Sequence, residues 1–238
     1  MDSSVAALIN GPRTIGLPGP LLLEALLSKI KAHEARIGVI GLGYVGLPMV
    51  RLFASKGFCV TGFDVDQAKI AALASGRSYI KSVSSELIAK LAKDKKLSAT
   101  SDFSRLAEMD VVIICVPTPL TVDGRPDVSF IKNTAVAISQ NFRRGQLVVL
   151  ESTSYPGTTR EIMKVEIERG GRSCGHDFFL AFSPEREDPG NKEFTNEMIP
   201  KVVGGIEPLS GRAAAALYSE GVVKVVEVSS AETAEAAK

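Results

Sequence analysis

Three glycines at positions 41, 43 and 46 form a G-x-G-x-x-G pattern inside the segment IGVIGLGYVGLPMV. A strand-like run precedes them, a helical pattern follows, and a second strand-like run ends in Asp64, near the spacing of about 20 residues typical of a dinucleotide-binding loop. Gly41 would permit the tight turn, Gly43 would admit a pyrophosphate, and Gly46 would let helix and strand approach closely. The helix N-terminus offers N–H groups and partial positive charge to the phosphates. The alternative is a tight turn that binds nothing.

Asp64 predicts NAD rather than NADP as the cofactor, because a carboxylate accepts hydrogen bonds from the ribose hydroxyls and repels a 2′-phosphate. Lys69 has two interpretations, a contact with the ribose or phosphate and a solvated helix lysine. Tyr44 and Val45 lie inside the glycine loop and are predicted to contact the cofactor with it.

Strands and helices must alternate to position these residues. Apolar runs rich in Val, Ile and Leu alternate with amphipathic stretches, which predicts a doubly wound α/β fold of Rossmann type with a mostly parallel sheet. Residues 1–35 are predicted to be a loose tail and a helix packed on the outside, and residues 36–230 the Rossmann-type domain. Residues 231–238 begin a truncated helix, which we expect to fray because it is short.

The composition argues against several classes of partner. The chain has 238 residues and a formal net charge of +1, which favours neither a nucleic-acid nor an acidic membrane partner. It has no apolar run of about 18 residues and no secretory signal pattern, so we expect a cytoplasmic protein. Cys59, Cys115 and Cys174 match neither a zinc site nor a disulfide framework, so no metal is predicted. We expect Cys59 and Cys115, in apolar strand-like runs, to be buried free thiols.

Three predicted strands end in unusual segments. CVPTPL follows the fourth strand, ESTSYPGTT the fifth and FSPEREDPGN the sixth. Ligands of open α/β sheets bind beyond the carboxyl ends of the strands, so these segments should surround one site. Val116 and Pro117 are expected near the ribose on the nicotinamide side. The pattern alone predicts an NAD-dependent dehydrogenase of unknown substrate.

These motifs together carry a resemblance. GLGYVGLP, FDVD, VPTPL, ESTSYPGTT, SPEREDPGN and PKVVGG, in this order, resemble the NAD-binding domain of the UDP-glucose/GDP-mannose dehydrogenase family from about Ile37 to Lys238. The SPEREDPGN form is most similar to the branch that oxidises UDP-N-acetylhexosamines, especially UDP-N-acetylglucosamine 6-dehydrogenases. UDP-glucose enzymes usually carry a Phe-Leu pair where this sequence has Arg186 and Glu187.

The resemblance implies an activity and roles for named residues. Members oxidise a sugar C6 alcohol to a carboxylate with two NAD, by way of a cysteine-bound thiohemiacetal and a thioester. Thr153 would position the catalytic water, Glu185 would help to activate it, and Lys238 would stabilise the developing oxyanion. Thr118 and Ser152, together with Thr153, match residues near the cofactor. The structural alternatives are a Thr153 bond to a strand-end carbonyl and a surface ion pair between Glu185 and an arginine.

The resemblance also implies parts that these residues do not contain. The family has a long dimer-forming helix, a Gly-rich segment with the nucleophilic cysteine, and a second α/β domain that grips the UDP group. We therefore expect a chain that folds and binds NAD without turnover, and a longer parent that acts on a UDP-sugar as a homodimer or larger oligomer. The alternatives are a stand-alone NAD-binding module, a UDP-glucose 6-dehydrogenase, and a hydroxyacid-type Rossmann dehydrogenase. Glu151, Arg186 and Glu187 are left open as substrate or subunit contacts.

Overall fold

The computed structural model describes residues 18–185 and 200–237. The predicted loose tail therefore lies outside the described residues except at its end, as do Arg186, Glu187 and Lys238. Within the described residues, no helix is both long enough and apolar enough to cross a membrane.

One sheet of eight strands forms the centre of the described residues. Its spatial order is β3-β2-β1-β4-β5-β6-β7-β8, and all neighbouring pairs are parallel except the antiparallel pair β6 and β7. This arrangement confirms the predicted doubly wound, mostly parallel α/β fold. The strands are β1 (Arg36–Ile40), β2 (Cys59–Phe63), β3 (Leu97–Thr100), β4 (Val111–Ile114), β5 (Gln146–Leu150), β6 (Phe178–Phe182), β7 (Lys201–Gly205) and β8 (Val225–Val228).

Helices cover both faces of this sheet, and two apolar clusters fill the space between the layers. The central strands β4, β5 and β6 are buried along their whole length, which explains their near-continuous apolar sequences. The helices are α1 (Gly19–Lys31), α2 (Gly46–Ser55), α3 (Gln67–Ala74), α4 (Ser85–Lys93), α5 (Ser129–Gln140), α6 (Val165–Glu168), α7 (Pro208–Ser219) and α8 (Ala231–Ala236), with a 3₁₀ helix at Phe103–Glu108 and a π-helix at Thr159–Lys164.

The N-terminal helix α1 packs against α7. Leu23 and Ile30 are buried in this contact, and the Lys29 ammonium lies 2.9 Å from the Asp110 carboxylate. The helix ends at Lys31, before the predicted end at residue 35, and His33 then takes a φ of 56° that turns the chain toward β1.

Two expectations about local environment are wrong. Cys59 is exposed because it is the first residue of β2, and Cys115 is half-buried at the end of β4; neither forms a disulfide. The last described residues form helix α8 instead of a frayed end. Ser230 caps this helix, and Glu235 is buried against the loop that follows β5. Tertiary hydrogen bonds thus hold a helix that would be marginal in isolation.

Candidate functional site

The glycine loop connects β1 to α2, and each of its three glycines meets a different constraint. Gly41 has a φ of 89°, and a Cβ there would lie 2.5 Å from the Cys115 carbonyl oxygen. A Cβ at Gly46 would lie 1.8 Å from the Gly41 carbonyl oxygen, so this glycine permits the close packing of helix on strand. A Cβ at Gly43 would meet no protein atom within 4 Å. The space at Gly43 is therefore open toward the neighbouring cavity.

That cavity has a volume of about 860 Å³ and lies beyond the carboxyl ends of β1, β2, β4 and β5. Its size falls within the usual range for small-molecule and cofactor sites. Every predicted cofactor-binding residue lines it except Gly46, which lies behind the loop. The predicted residues in the wall are Gly41, Gly43, Tyr44, Val45, Asp64, Lys69, Val116, Pro117, Thr118, Ser152 and Thr153.

Asp64 is buried at the end of β2, and three donors hold its carboxylate. It accepts N–H bonds from Leu42 at 2.8 Å and Asp66 at 2.9 Å, and the Lys69 ammonium lies 2.9 Å away. Burial raises the pKa of Asp64, but the Asp66 N–H, the Lys69 ammonium and the Leu42 N–H together bring the pKa below its ordinary value. The carboxylate is therefore ionised at neutral pH and joined directly to the glycine loop.

Sequence reasoning missed that Lys69 and Tyr79 are connected to this loop. Lys69 lines the cavity and forms an ion pair with Asp64, which neither earlier interpretation included. The Tyr79 hydroxyl donates to the Leu42 carbonyl oxygen at 2.8 Å, while the Leu42 N–H donates to Asp64. The two peptide groups that flank the Cα atom of Leu42 are therefore each held by a side chain. The acidic residue after β2 was detectable by its spacing, but Tyr79 lies in an irregular segment with no motif.

The opposite side of the cavity consists of the segments that follow β4 and β5. Ser152 is buried, with its hydroxyl 3.4 Å from the Ile114 carbonyl oxygen, whereas Thr153 is exposed on the cavity wall. Glu151 precedes them and also lines the cavity, although its side chain is fully buried.

Behind this wall, Glu151, Glu185, Lys201 and Tyr218 form a buried polar group, here called the Glu151 cluster. The Lys201 ammonium lies 3.1 Å from the Glu151 carboxylate and 2.8 Å from that of Glu185. The Tyr218 hydroxyl donates to Glu151. Glu185 therefore forms an ion pair with a lysine, and its side chain is 9% exposed; the Arg186 considered as its alternative partner lies outside the described residues. Burial raises the pKa of Glu151 to about 7; Lys201 opposes the shift and Glu185 adds to it.

The remaining predicted catalytic residue, Lys238, lies outside the described residues. Among those described, no cluster of three or more His, Cys, Asp or Glu side chains could hold a metal ion. The three cysteines differ in position. Cys59 is the first residue of β2, at the end of the strand opposite the cavity, and Cys115 borders the cavity. Burial raises the pKa of the Cys174 thiol to about 12.

Comparison with known proteins gives the family. Residues 35–222 match the NAD binding domain of the UDP-glucose/GDP-mannose dehydrogenase family. The chain belongs to this family. The resemblance inferred from the six sequence motifs is thereby confirmed, and the cofactor of the matched domain is NAD.

Individual relatives agree with this assignment. The chain is 36% identical over 207 residues to UDP-N-acetyl-D-glucosamine 6-dehydrogenase of Pseudomonas aeruginosa, which covers 86% of this chain and 48% of the relative. It is 35% identical over 208 residues to UDP-N-acetyl-D-mannosamine dehydrogenase of Pyrococcus horikoshii, over 85% of this chain and 49% of the relative. The crystal structure of NDP-N-acetyl-D-galactosaminuronic acid dehydrogenase from Methanosarcina mazei superimposes with a TM-score of 0.81 at 36% identity, covering 91% of this chain and 48% of that one. The chain thus spans about half the length of these relatives.

The residues of the cavity fit NAD. The open space at Gly43 lies beside the N-terminus of α2, where a phosphate would meet N–H groups. Asp64, ionised and buried beneath the loop, has one side on the cavity, where ribose hydroxyls could donate to it.

Proposed function

We propose that this chain is the NAD-binding part of a nucleotide-sugar 6-dehydrogenase, which oxidises the C6 alcohol of a UDP-N-acetylhexosamine to a carboxylate with two NAD. UDP-N-acetylglucosamine is the proposed substrate. One observation carries the proposal: a single cavity joins the glycine loop and Asp64 at one end to Thr153 and Glu151 at the other. A protein that only bound NAD would not need the carboxyl group of Glu151 beside Thr153.

Each part of the cavity has a proposed task. The glycine loop and Asp64 bind the pyrophosphate and the adenosine ribose, while Val116, Pro117, Thr118 and Ser152 border the nicotinamide end. NAD, when bound there, supplies the hydride acceptor. Thr153, exposed on the wall, holds a water molecule for hydrolysis. Glu185, beside the ammonium of Lys201, helps to activate that water.

The nucleophilic cysteine is proposed to lie outside these 238 residues. Cys59 lies at the start of β2, at the end of the strand opposite the cavity. The raised pKa of Cys174 keeps that thiol protonated. Cys115 lies in the segment behind the glycine loop, where its Cβ would be 3.3 Å from a Cβ added at Gly46. The UDP contacts and Lys238 complete the site in a longer protein, which we propose to be a cytoplasmic homodimer or larger oligomer.

The test is an NADH assay on the full-length gene product with UDP-N-acetylglucosamine, UDP-N-acetylmannosamine, UDP-glucose and GDP-mannose. We expect two NADH per molecule of a UDP-N-acetylhexosamine, with UDP-N-acetylglucosamine giving the highest kcat/KM. Thr153→Ala should lower kcat about 100-fold, the lower end of the range for loss of a general acid–base contribution. Oxidation of UDP-glucose or GDP-mannose alone would contradict the proposed substrate class. Sustained turnover by residues 1–238 alone would contradict the placement of the nucleophile.

A further inference from the structure

The Glu151 cluster exists because one strand runs against the rest of the parallel sheet. Strand β7 is antiparallel to β6, with Phe182 opposite Gly204 and Ala181 opposite Gly205. Continuing this register places Lys201, the first residue of β7, opposite Glu185. The start of β7 therefore brings a lysine to the carboxyl edge of the parallel strands, where the side chain of Glu151 also lies.

In the part of the chain that the structure describes, the groups facing Glu151 come from several different elements. Lys201 belongs to β7, Glu185 follows β6, and Tyr218 lies in α7 with its ring centroid 5.2 Å from the Lys201 ammonium. Cys115, at the end of β4, also lies near enough to raise the pKa of Tyr218. The cluster thus contains two carboxyl groups and one ammonium, all almost fully removed from water.

The Lys201 ammonium faces both carboxyl groups, so ionisation of both would bring two like charges together in a buried site. Repulsion of this kind is costly away from water. A proton held by one carboxyl group removes the repulsion, as in carboxylate pairs that share a proton. Burial alone would lower the pKa of Lys201, but Glu151 and Glu185 raise it, so the ammonium stays charged. The carboxyl group of Glu151 is the one that holds this proton, because burial raises its pKa to about 7.

We propose that Glu151 and Lys201 are positioning residues for Glu185. The carboxyl groups of Glu151 and Glu185 share one proton and the ammonium of Lys201, and this arrangement keeps Glu185 ionised and fixed beside the cavity. The inference rests on the proposed function, because it assigns Glu185 a role in that reaction. If the cluster only stabilised the fold, it would not need these charges, because well-packed apolar residues of similar volume stabilise an interior as well or better.

The position of Glu151 makes the arrangement responsive to the cavity. Glu151 lines the cavity with its neighbours Ser152 and Thr153, whereas Lys201 lies behind it. When Glu151 loses its proton, a second carboxylate competes with Glu185 for the same ammonium. The reaction should therefore change with pH near the titration of Glu151, and Glu151→Gln should abolish this dependence because no second carboxylate then forms to compete with Glu185 for the ammonium.

The first measurement follows side-chain carboxyl groups of glutamate by ¹³C NMR during a pH titration of the 238-residue chain. The wild type should show one resonance with a midpoint near 7. That titration should be absent in Glu151→Gln and present in Glu161→Gln, which removes an exposed carboxylate from the same region. In Tyr218→Phe the midpoint should rise, because the donor to the ionised form is lost. In Tyr155→Phe, an exposed tyrosine control, it should not move.

The second measurement is the pH profile of kcat in the full-length protein. Wild-type kcat should change about threefold across the pH unit centred on the NMR midpoint, and Glu151→Gln should remove that change. If Glu151→Gln instead lowered kcat by the same factor at every pH, the role of Glu151 would be purely structural and the proposal would be overturned. Absence of the NMR titration, or its persistence in Glu151→Gln, would overturn it as well. A clear NMR titration in a protein that oxidises no nucleotide sugar would refute the proposed function, while the shared proton would stand.

Discussion

At the scale of residues, the backbone of a single residue, Leu42, connects the parts of the cofactor site. The Leu42 N–H donates to Asp64, and the Leu42 carbonyl accepts from Tyr79. Asp64 in turn accepts from Lys69, so one carboxylate fixes the loop, pairs with a cation and borders the cavity. The loop is thus rigid before any ligand arrives, which reduces the entropy lost on binding.

Gly43→Ala and Gly46→Ala separate binding from folding. The Gly43→Ala methyl group has no protein atom within 4 Å and extends into the cavity, so we expect an unchanged Tm and an NAD affinity at least about tenfold weaker. The Gly46→Ala methyl group would lie 1.8 Å from the Gly41 carbonyl oxygen, so we expect destabilisation of about 1–3 kcal/mol or more. Calorimetry with NAD and thermal unfolding of both variants check this. Equal NAD affinity in Gly43→Ala and wild type would contradict the placement of the pyrophosphate.

Helix α8 shows how one element is fixed to the loop that bears Thr153. The Glu235 carboxylate accepts N–H bonds from Gly157 at 2.6 Å and from Thr159 at 2.8 Å. It also accepts a hydrogen bond from the Thr159 hydroxyl group at 2.6 Å. These donors start the π-helix after β5. A buried carboxylate on one short helix thus caps the start of another, and both helices keep a fixed position relative to the cavity wall.

Glu235→Gln tests this connection. The amide offers one acceptor oxygen in place of two and turns an N–H₂ group toward backbone donors. We expect a loss of about 1–3 kcal/mol in the free energy of unfolding and faster hydrogen exchange at Gly157 and Thr159. The matched variant Glu232→Gln breaks a partly exposed ion pair with Arg160 and should cost under about 1 kcal/mol. Equal Tm values for the two variants, with unchanged exchange at Thr159, would argue against a capping role.

The elements also show what the sequence could and could not predict. Local patterns located the strands and the glycine loop, because continuous apolar runs and glycine spacing are local properties. The reversed direction of β7 was not predicted, because KVVGG fits either orientation. The partners of Glu151 were missed for the same reason: Lys201 lies 50 positions away and Tyr218 67. The order of α8 depended on Glu235, which a short Ala-rich segment does not reveal.

At the scale of the whole molecule, the described sheet places every part of the cavity at one edge. Parallel strands β1, β2, β4 and β5 end there, and the antiparallel β7 begins beside them. Most of the predicted cofactor contacts therefore come from the first half of the sheet, and the Glu151 cluster comes from the second. Helix α1 lies outside this arrangement against α7, and its Lys29 pairs with Asp110 just before β4.

The most direct test of the account is calorimetric titration of the 238-residue chain with NAD and, separately, with NADP. We predict one NAD site per chain and an affinity for NADP at least about tenfold weaker, because the ionised Asp64 carboxylate repels a 2′-phosphate. Asp123→Asn, which removes an exposed carboxylate in the loop between β4 and α5, should leave both affinities unchanged. No binding of NAD, or binding of NADP as tight as that of NAD, would contradict the account.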